Sequence, residues 1–112
     1  MKDKLGDNER IGHMLDAIRD LEIVIGDKNY DEFISTVAER FASVKLFEII
    51  GEASMHISDT LKEQHNTIQW NEIKGMRNIL VHEYFGVSYE TVYDTYKNYL
   101  PVLKQQLLTI NI

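Results

Sequence analysis

The sequence predicts an all-α protein, a helical bundle of about five helices formed by a single domain that spans residues 1–112. Three observations support this fold class. The chain has one proline and six glycines in 112 residues, so few positions interrupt a helix. Apolar residues recur at steps of three and four along most of the chain, which is the period of an amphipathic helix. No segment shows sustained alternation of apolar and polar residues, so strands are not expected.

The first helix is predicted from an apolar stripe that ends beside a glycine. The stripe consists of Ile11, Met14, Leu15, Ile18, Leu21 and Ile25. Asp7 or Asn8 is expected to cap its start, and Gly26 fits its end. The polar segment that follows is predicted to be a turn, in which Asn29 or Asp31 can cap the next helix.

A second apolar stripe begins at Tyr30 and continues to Ile57. It predicts one helix to about Ser58, which would be roughly 40 Å long if unbroken. Small residues within it, including Gly51, would let a neighbouring helix pack closely. The polar stretch SDTLKEQHNT is expected to form a frayed last turn and a connection.

The last two helices are predicted downstream of Gly86, which breaks the helical pattern. Ser88 is expected to cap the fourth helix, and Pro101 suits the first turn of the fifth. The inner face of the fourth helix is marked by Val92, Tyr96 and Tyr99. The stripe of the fifth helix is Val102 or Leu103, Leu107 and Ile110.

The third predicted helix, from about residue 70 to His82, carries polar side chains inside an apolar run. The segment MRNILVHEYFGV contains Arg77, Asn78, His82 and Tyr84. On an ideal helix Asn78 and His82 share a face, whereas Arg77 and His82 lie about 140° apart. The two can serve one small site if the helix loosens near His82, or if two copies of the segment meet across a dimer. Judged by spacing alone, an arginine and a histidine on a helix are more often surface or helix-end groups.

Arginine and histidine together offer a defined phosphate chemistry. The guanidinium of Arg77 would match phosphate oxygens, and His82 could exchange a proton with the 2′-hydroxyl or the leaving oxygen of RNA. Such a reaction requires no metal and no cofactor. Glu52, four residues after Glu48, either belongs to a solvated acidic stripe or points inward to orient Arg77 or His82. The other histidines, His13, His56 and His65, show no spacing that indicates a metal site.

Composition narrows the possible partners. The net charge of −6 argues against nonspecific nucleic-acid binding, and DNA is not an expected partner. The acidic excess lies in residues 1–68, while residues 69–112 are balanced. The absence of cysteine, of an apolar run long enough to cross a bilayer and of a signal-peptide pattern predicts a cytoplasmic protein without a membrane association.

The segment WNEIKGMRNILVHEYF, residues 70–85, resembles the HepT-like members of the HEPN superfamily. Their motif is arginine, four residues, histidine, any residue and tyrosine, which corresponds here to Arg77, His82 and Tyr84. The similarity extends to EIIGEA upstream and to YLPVLKQQL downstream. Ser88 and Tyr93 stand where this family often has aspartate and tryptophan.

The resemblance implies a HEPN-type homodimer that cleaves RNA without metal as the toxin of a toxin–antitoxin system. Its catalytic residues would be Arg77 and His82, at a cleft between the subunits, with Asn78 and Glu52 in supporting positions. The antitoxin would be a minimal nucleotidyltransferase (MNT) that transfers AMP to Tyr84 and silences the toxin. The alternative is a noncatalytic subunit that binds substrate for a nucleotidyltransferase, which the acidic charge favours and the intact motif disfavours.

Overall fold

The computed structural model describes the backbone of residues 2–110 and the side chains of residues 6–83 and 85–110. The regular structure in this part of the chain is entirely helical, which confirms the predicted all-α fold. The α-helices are α1 (Lys2–Val24), α2 (Tyr30–Ile34), α3 (Val37–Met55), α4 (Asp59–Gln64), α5 (Trp70–His82), α6 (Tyr89–Asp94) and α7 (Leu100–Leu108). A 3-10 turn (Tyr84–Gly86) precedes α6, and a π turn (Thr95–Tyr99) joins α6 to α7. Among the helices described, none is long and apolar enough to cross a membrane.

Helix α3 is the centre of the bundle, with α1 and α5 packed along it. Each helix contributes one apolar face to a single core, and burial of these faces drives the assembly. The most completely buried large side chains are Met14, Ile18, Leu21, Ile25, Phe33, Leu103 and Leu107. The core therefore fixes the outer helices α1 and α5 on two sides of the same central helix.

The predicted long helix from Tyr30 to Ser58 is wrong, because the chain breaks between α2 and α3. Ser35 closes α2, and its hydroxyl donates to the carbonyl of Glu32 at 2.7 Å. Thr36 is extended, with φ −120° and ψ 136°. The guanidinium of Arg40 binds the carbonyl of Ile34, which the break leaves without a helical partner. Serine and threonine compete for backbone groups in this way, and the apolar period does not record it.

The predicted cap of α1 at Asp7 or Asn8 is also wrong, since the helix begins at Lys2. Asp7 is instead buried, and its two carboxylate oxygens accept hydrogen bonds from the backbone N–H of Ser58 at 2.8 Å and from its hydroxyl at 2.6 Å. The hydroxyl of Ser58 also caps α4 by accepting from the N–H of Leu61. The stretch expected to be a frayed connection therefore contains an ordered helix tied to α1.

The turn between α1 and α2 is largely as predicted. Gly26 has a φ of +54°, the left-handed conformation that ends many helices and favours glycine. Asn29, rather than Asp31, caps α2 in a reciprocal pair with Glu32, in which each side chain accepts from the other's backbone N–H at 2.9 Å.

The predicted fourth and fifth helices form one continuous helical segment. Its start is confirmed, because the hydroxyl of Ser88 accepts from the N–H of Thr91. Pro101 lies in the first turn of α7, as predicted, but α7 follows the π turn without a break. Proline lacks an N–H and its ring collides with the carbonyl four residues earlier, and the wider π turn just upstream accommodates this conflict. The hydroxyls of Tyr93 and Tyr96 fasten this segment to the turn after α1, donating to the carbonyls of Lys28 and Gly26 at 2.6 and 3.0 Å.

Candidate active site

Helix α5 has the bounds that the sequence predicts and places Arg77 on its buried side. Ile73 and Leu80 are buried, and Arg77 lies four residues after the first and three before the second, so all three share one face. The indole N–H of Trp70 donates to the carbonyl of His65 at 3.1 Å and anchors the start of the helix. The arginine therefore projects from the apolar stripe toward α3 rather than into open solvent.

A glycine in α3 makes room for the stem of this arginine. A Cβ built on Gly51 would lie 2.2 Å from the Cβ of Arg77 and 2.7 Å from its Cγ. Real Cβ atoms do not approach so closely, so a side chain at position 51 is incompatible with this crossing. The close approach of α5 to α3, anticipated from the small residues of α3, carries the guanidinium to the edge of the interface.

The guanidinium of Arg77 is held there by two neighbours. Its Nη2 forms an ion pair with Oε1 of Glu52 at 2.9 Å, and its Nη1 donates to Oδ1 of Asn78 at 3.1 Å. The Arg77 side chain is 23% exposed, whereas that of Glu52 is 51% exposed. The structure thus brings together Arg77, Asn78 and Glu52, and it places Glu52 beside Arg77 rather than in a detached acidic stripe.

His56 joins this cluster, although it was not predicted as a site residue. Its Nε2 lies 3.1 Å from Oε2 of Glu52, so the two oxygens of one carboxylate face a histidine and an arginine. The pKa of Glu52 lies below its ordinary value, chiefly because of the hydrogen bond from His56. Desolvation opposes this lowering, and the charge of Arg77 adds to it. The available signal was the spacing of four residues between Glu52 in α3 and His56, which directly follows the helix.

His82 lies apart from this cluster. It is the last residue of α5, is exposed, and its imidazole has no hydrogen-bond partner among the described residues. It does not line the cleft into which Arg77 opens. Helix α5 remains α-helical through His82, so the helix does not loosen there. A single chain therefore leaves Arg77 and His82 on different faces, as their angular offset predicts.

The side chain of Tyr84 lies outside the described residues. Its backbone belongs to the 3-10 turn that follows α5, in which the N–H of Gly86 donates to the carbonyl of Glu83 at 2.8 Å. The α-helix ends at His82, as the sequence predicts, so the chain has left it before the expected break at Gly86.

Arg77 opens into a cleft of about 530 Å³ formed by α1, α3 and α5. Its lining combines charged and apolar side chains, namely Arg10, His13, Lys45, Glu48, Ile49, Glu52, Ala53, His56, Arg77 and Val81. Among the side chains that the structure describes, no group of three or more acidic or histidine residues has the geometry of a metal site. The cleft is therefore a mixed surface with an arginine fixed at one wall.

The all-α bundle, with an arginine and a histidine five residues apart on α5, is consistent with a HEPN-type protein. The chain belongs to the family described as "Ribonuclease HepT-like", whose model matches residues 14–110.

Similar proteins come from Methanocaldococcus jannaschii and Thermococcus cleftensis. A Methanocaldococcus jannaschii protein named "Putative RNase" is 35% identical over 94 residues, covering 84% of this chain and 86% of its own. A second protein of that name from the same organism is 40% identical over 80 residues, or 71% and 69% of the two chains. The "Probable ribonuclease HepT" of Thermococcus cleftensis is 36% identical over 89 residues, or 80% and 81%. No solved structure is significantly similar to the chain.

Proposed function

We propose that this protein is a metal-independent endoribonuclease and the toxin of a HEPN/MNT toxin–antitoxin system. The observation that carries the proposal is the position of Arg77, partly buried at the wall of a cleft, with its two terminal nitrogens each fixed by one neighbour. Arginine has five N–H donors, so donors remain for a phosphate after these two contacts. Membership in the HepT-like ribonuclease family supports RNA as the substrate.

The proposed reaction is attack of an RNA 2′-hydroxyl on its neighbouring phosphate. His82 takes the proton of the hydroxyl, the 2′-oxygen forms a bond to phosphorus, and the bond to the 5′-oxygen breaks. The leaving oxygen takes a proton from water, and the products end in a 2′,3′-cyclic phosphate and a 5′-hydroxyl. Arg77 stabilises the added negative charge on the phosphate oxygens, which replaces the charge that a metal ion would supply.

The catalytic groups are proposed to meet across a homodimer. Within one chain His82 is exposed and lies outside the cleft that contains Arg77. Apolar side chains around it are also exposed, including Ile79 at 51% and Val81 at 38%. Two copies that cover this surface would bury it and could bring Arg77 of one chain to the partner subunit's His82.

The cleavage test compares the wild type with Arg77→Ala and His82→Ala on an RNA oligonucleotide, in a chelator. We expect wild-type cleavage to persist, and each variant to be slower by roughly 10²-fold or more. Lys74→Ala, an exposed residue of α5, and His65→Ala serve as controls that should retain activity. Cleavage that stops in the chelator, or wild-type rates in either motif variant, would show the mechanism to be wrong.

Mixing the two inactive variants tests the shared site. A heterodimer of Arg77→Ala and His82→Ala chains contains one site with both groups intact if the site is shared, and none if each chain supplies both groups. We therefore expect activity to return after the variants are mixed and allowed to exchange subunits. Mixtures as inactive as their components, although light scattering shows exchanged dimers, would contradict the shared site.

The proposed antitoxin is an MNT-type nucleotidyltransferase that modifies Tyr84. The phenol oxygen attacks the α-phosphate of ATP, a tyrosine–phosphate bond forms, and pyrophosphate leaves. The position of residue 84 in a turn beyond the end of α5 supports access by an enzyme. Mass spectrometry after incubation with the antitoxin and ATP should locate AMP on Tyr84, and Tyr84→Phe should remain toxic. An adduct on Tyr89 or Tyr93, with Tyr84 unmodified, would contradict this assignment.

A second candidate is a noncatalytic subunit that binds substrate for the nucleotidyltransferase. It is favoured by the net charge of −6 and by the ion pair with Glu52, which neutralises the motif arginine in the free chain. The cleavage assay separates the two candidates, since this one predicts RNA binding or partner binding without hydrolysis by the purified protein.

A further inference from the structure

The cleft beside Arg77 carries cationic groups that the proposed reaction does not use. Arg10 comes from α1 and Lys45 from α3, and both line the cleft that Arg77 enters from α5. Glu48 and Glu52 are the carboxylates among the lining residues. Three cations therefore face two carboxylates, so this surface has a positive formal balance in a protein whose net charge is −6.

The pairing of these cations leaves charge available for a ligand. Arg10 is only partly exposed, yet its guanidinium has no ion-pair or hydrogen-bond partner within the described part of the chain. Lys45 approaches Glu48 at 3.9 Å, and its side chain is 72% exposed, which is a weak surface contact. Arg77 is paired by Glu52. An arginine held partly out of solvent without a counter-charge indicates a place where an anion binds.

We infer that Arg10 and Lys45 form a phosphate subsite for the RNA strand next to the phosphate bound by Arg77, an inference that rests on the proposed function. His13, which lines the same wall, lies one helical turn from Arg10 and supplies a further donor. The strand follows the cleft between α1 and α3, so one chain contacts at least two successive phosphates. Acidic proteins can bind a polyanion in this way because the cations converge locally.

The salt dependence of RNA binding tests this subsite. Each phosphate contact on a single strand contributes a slope of about 0.7 to the dependence of log affinity on log salt. The probe is a fluorescent, 2′-O-methylated RNA oligonucleotide, which the proposed reaction cannot cleave. For Arg10→Gln/Lys45→Gln the slope should fall by about 1.4, and at 0.1 M salt the affinity should fall roughly 25-fold.

A matched control removes the same charge elsewhere. Arg19 lies nine residues after Arg10 on α1, which places it on the opposite side of that helix, and Lys74 is exposed on α5 outside the cleft. Arg19→Gln/Lys74→Gln should leave the slope near that of the wild type. Equal losses in both double variants would overturn the subsite, because a general charge effect would then account for the binding.

Two further measurements keep the outcomes separate. Circular dichroism verifies that the variants fold, and Arg10→Lys/Lys45→Arg, which keeps both charges, should retain the wild-type slope; loss of slope in that variant would overturn the inference. If the wild type cleaves no RNA but the slope difference is present, the proposed ribonuclease fails while the phosphate subsite remains. If the wild type cleaves RNA and the slope difference is absent, the subsite alone fails.

Discussion

Replacing Gly51 by alanine tests whether the crossing of α3 and α5 sets the position of Arg77. The added Cβ would meet the Cβ of Arg77 at 2.2 Å, and the Cα of Arg77 lies at 3.4 Å. These atoms belong to the backbone or adjoin it, so no side-chain rotation relieves the contact. The helices must separate by at least about 1.2 Å to bring the two Cβ atoms to the 3.4 Å of ordinary contact. Overpacking of this kind costs about 1–3 kcal/mol.

The helix propensity of alanine offsets part of that cost. Alanine is about 1 kcal/mol more favourable than glycine within a helix. Because the contact is rigid, we take the overpacking cost at the upper end of its range, about 3 kcal/mol. After the gain in helix propensity is subtracted, Gly51→Ala should lower the free energy of unfolding by about 2 kcal/mol. For a chain of this size the melting temperature would fall by roughly 8 °C. Cleavage should also weaken by about 10²-fold, because catalytic groups displaced by 1 Å lose that much.

Gly75→Ala is the matched control for this experiment. Gly75 lies in α5, and a Cβ built there meets nothing within 4 Å. Gly75→Ala should raise the free energy of unfolding by about 1 kcal/mol, because alanine has the higher helix propensity. Denaturant unfolding at one fixed protein concentration measures both variants, since stability depends on concentration if the protein is a dimer. A Gly51→Ala protein as stable as Gly75→Ala, with wild-type cleavage, would refute the reasoning.

Two other contacts yield predictions that do not depend on RNA. Asp7→Ala should lower the free energy of unfolding by about 2–3 kcal/mol, because it leaves the backbone N–H of Ser58 without its charged acceptor. Denaturant unfolding measures this loss, and a change below about 0.5 kcal/mol would contradict the prediction. Carboxyl NMR should find the pKa of Glu52 below its ordinary value, chiefly through the hydrogen bond from His56. His56→Ala, which removes that donor, should raise the pKa of Glu52. Because folding lowers the pKa of Glu52, its contribution to stability is present above the unfolded-state pKa and is lost as the pH falls through the folded-state value.

The local parts of the fold were predictable because their signals are local. The start of α6 depends on the hydroxyl of Ser88, which accepts a hydrogen bond from the N–H three residues later. A serine at this position is therefore a local signal in the sequence. The break between α2 and α3 escaped prediction because the apolar period continues across it, while the competing hydrogen bonds of Ser35 leave no periodic trace. Asp7 resembled a helix cap, and its partner Ser58 lies 51 residues away, which no local pattern reveals.

Of the residues that cluster at the candidate site, the sequence pointed to Arg77, Asn78 and Glu52 but not to His56, and it did not predict their arrangement. The motif predicts Arg77 and His82 as the catalytic pair, and their angular offset predicts that one chain does not bring them together. The contact of Arg77 with Glu52 required knowing that α5 crosses α3 at Gly51, which depends on how the whole core packs. The spacing of Arg77 from Ile73 and Leu80 is the sequence feature that predicts its position on the buried face of α5.

The ion pair between Arg77 and Glu52 has a consequence for which anions can occupy the cleft. Glu52 is tethered, so it competes for the guanidinium at a constant effective concentration, whatever the solution contains. A small ion such as chloride or free phosphate must displace it with a single contact. A strand that also engages Arg10 and Lys45 is already held in place when it meets this competitor. Competition from the carboxylate therefore weakens the binding of an anion that makes one contact more than the binding of a polyanion that makes several.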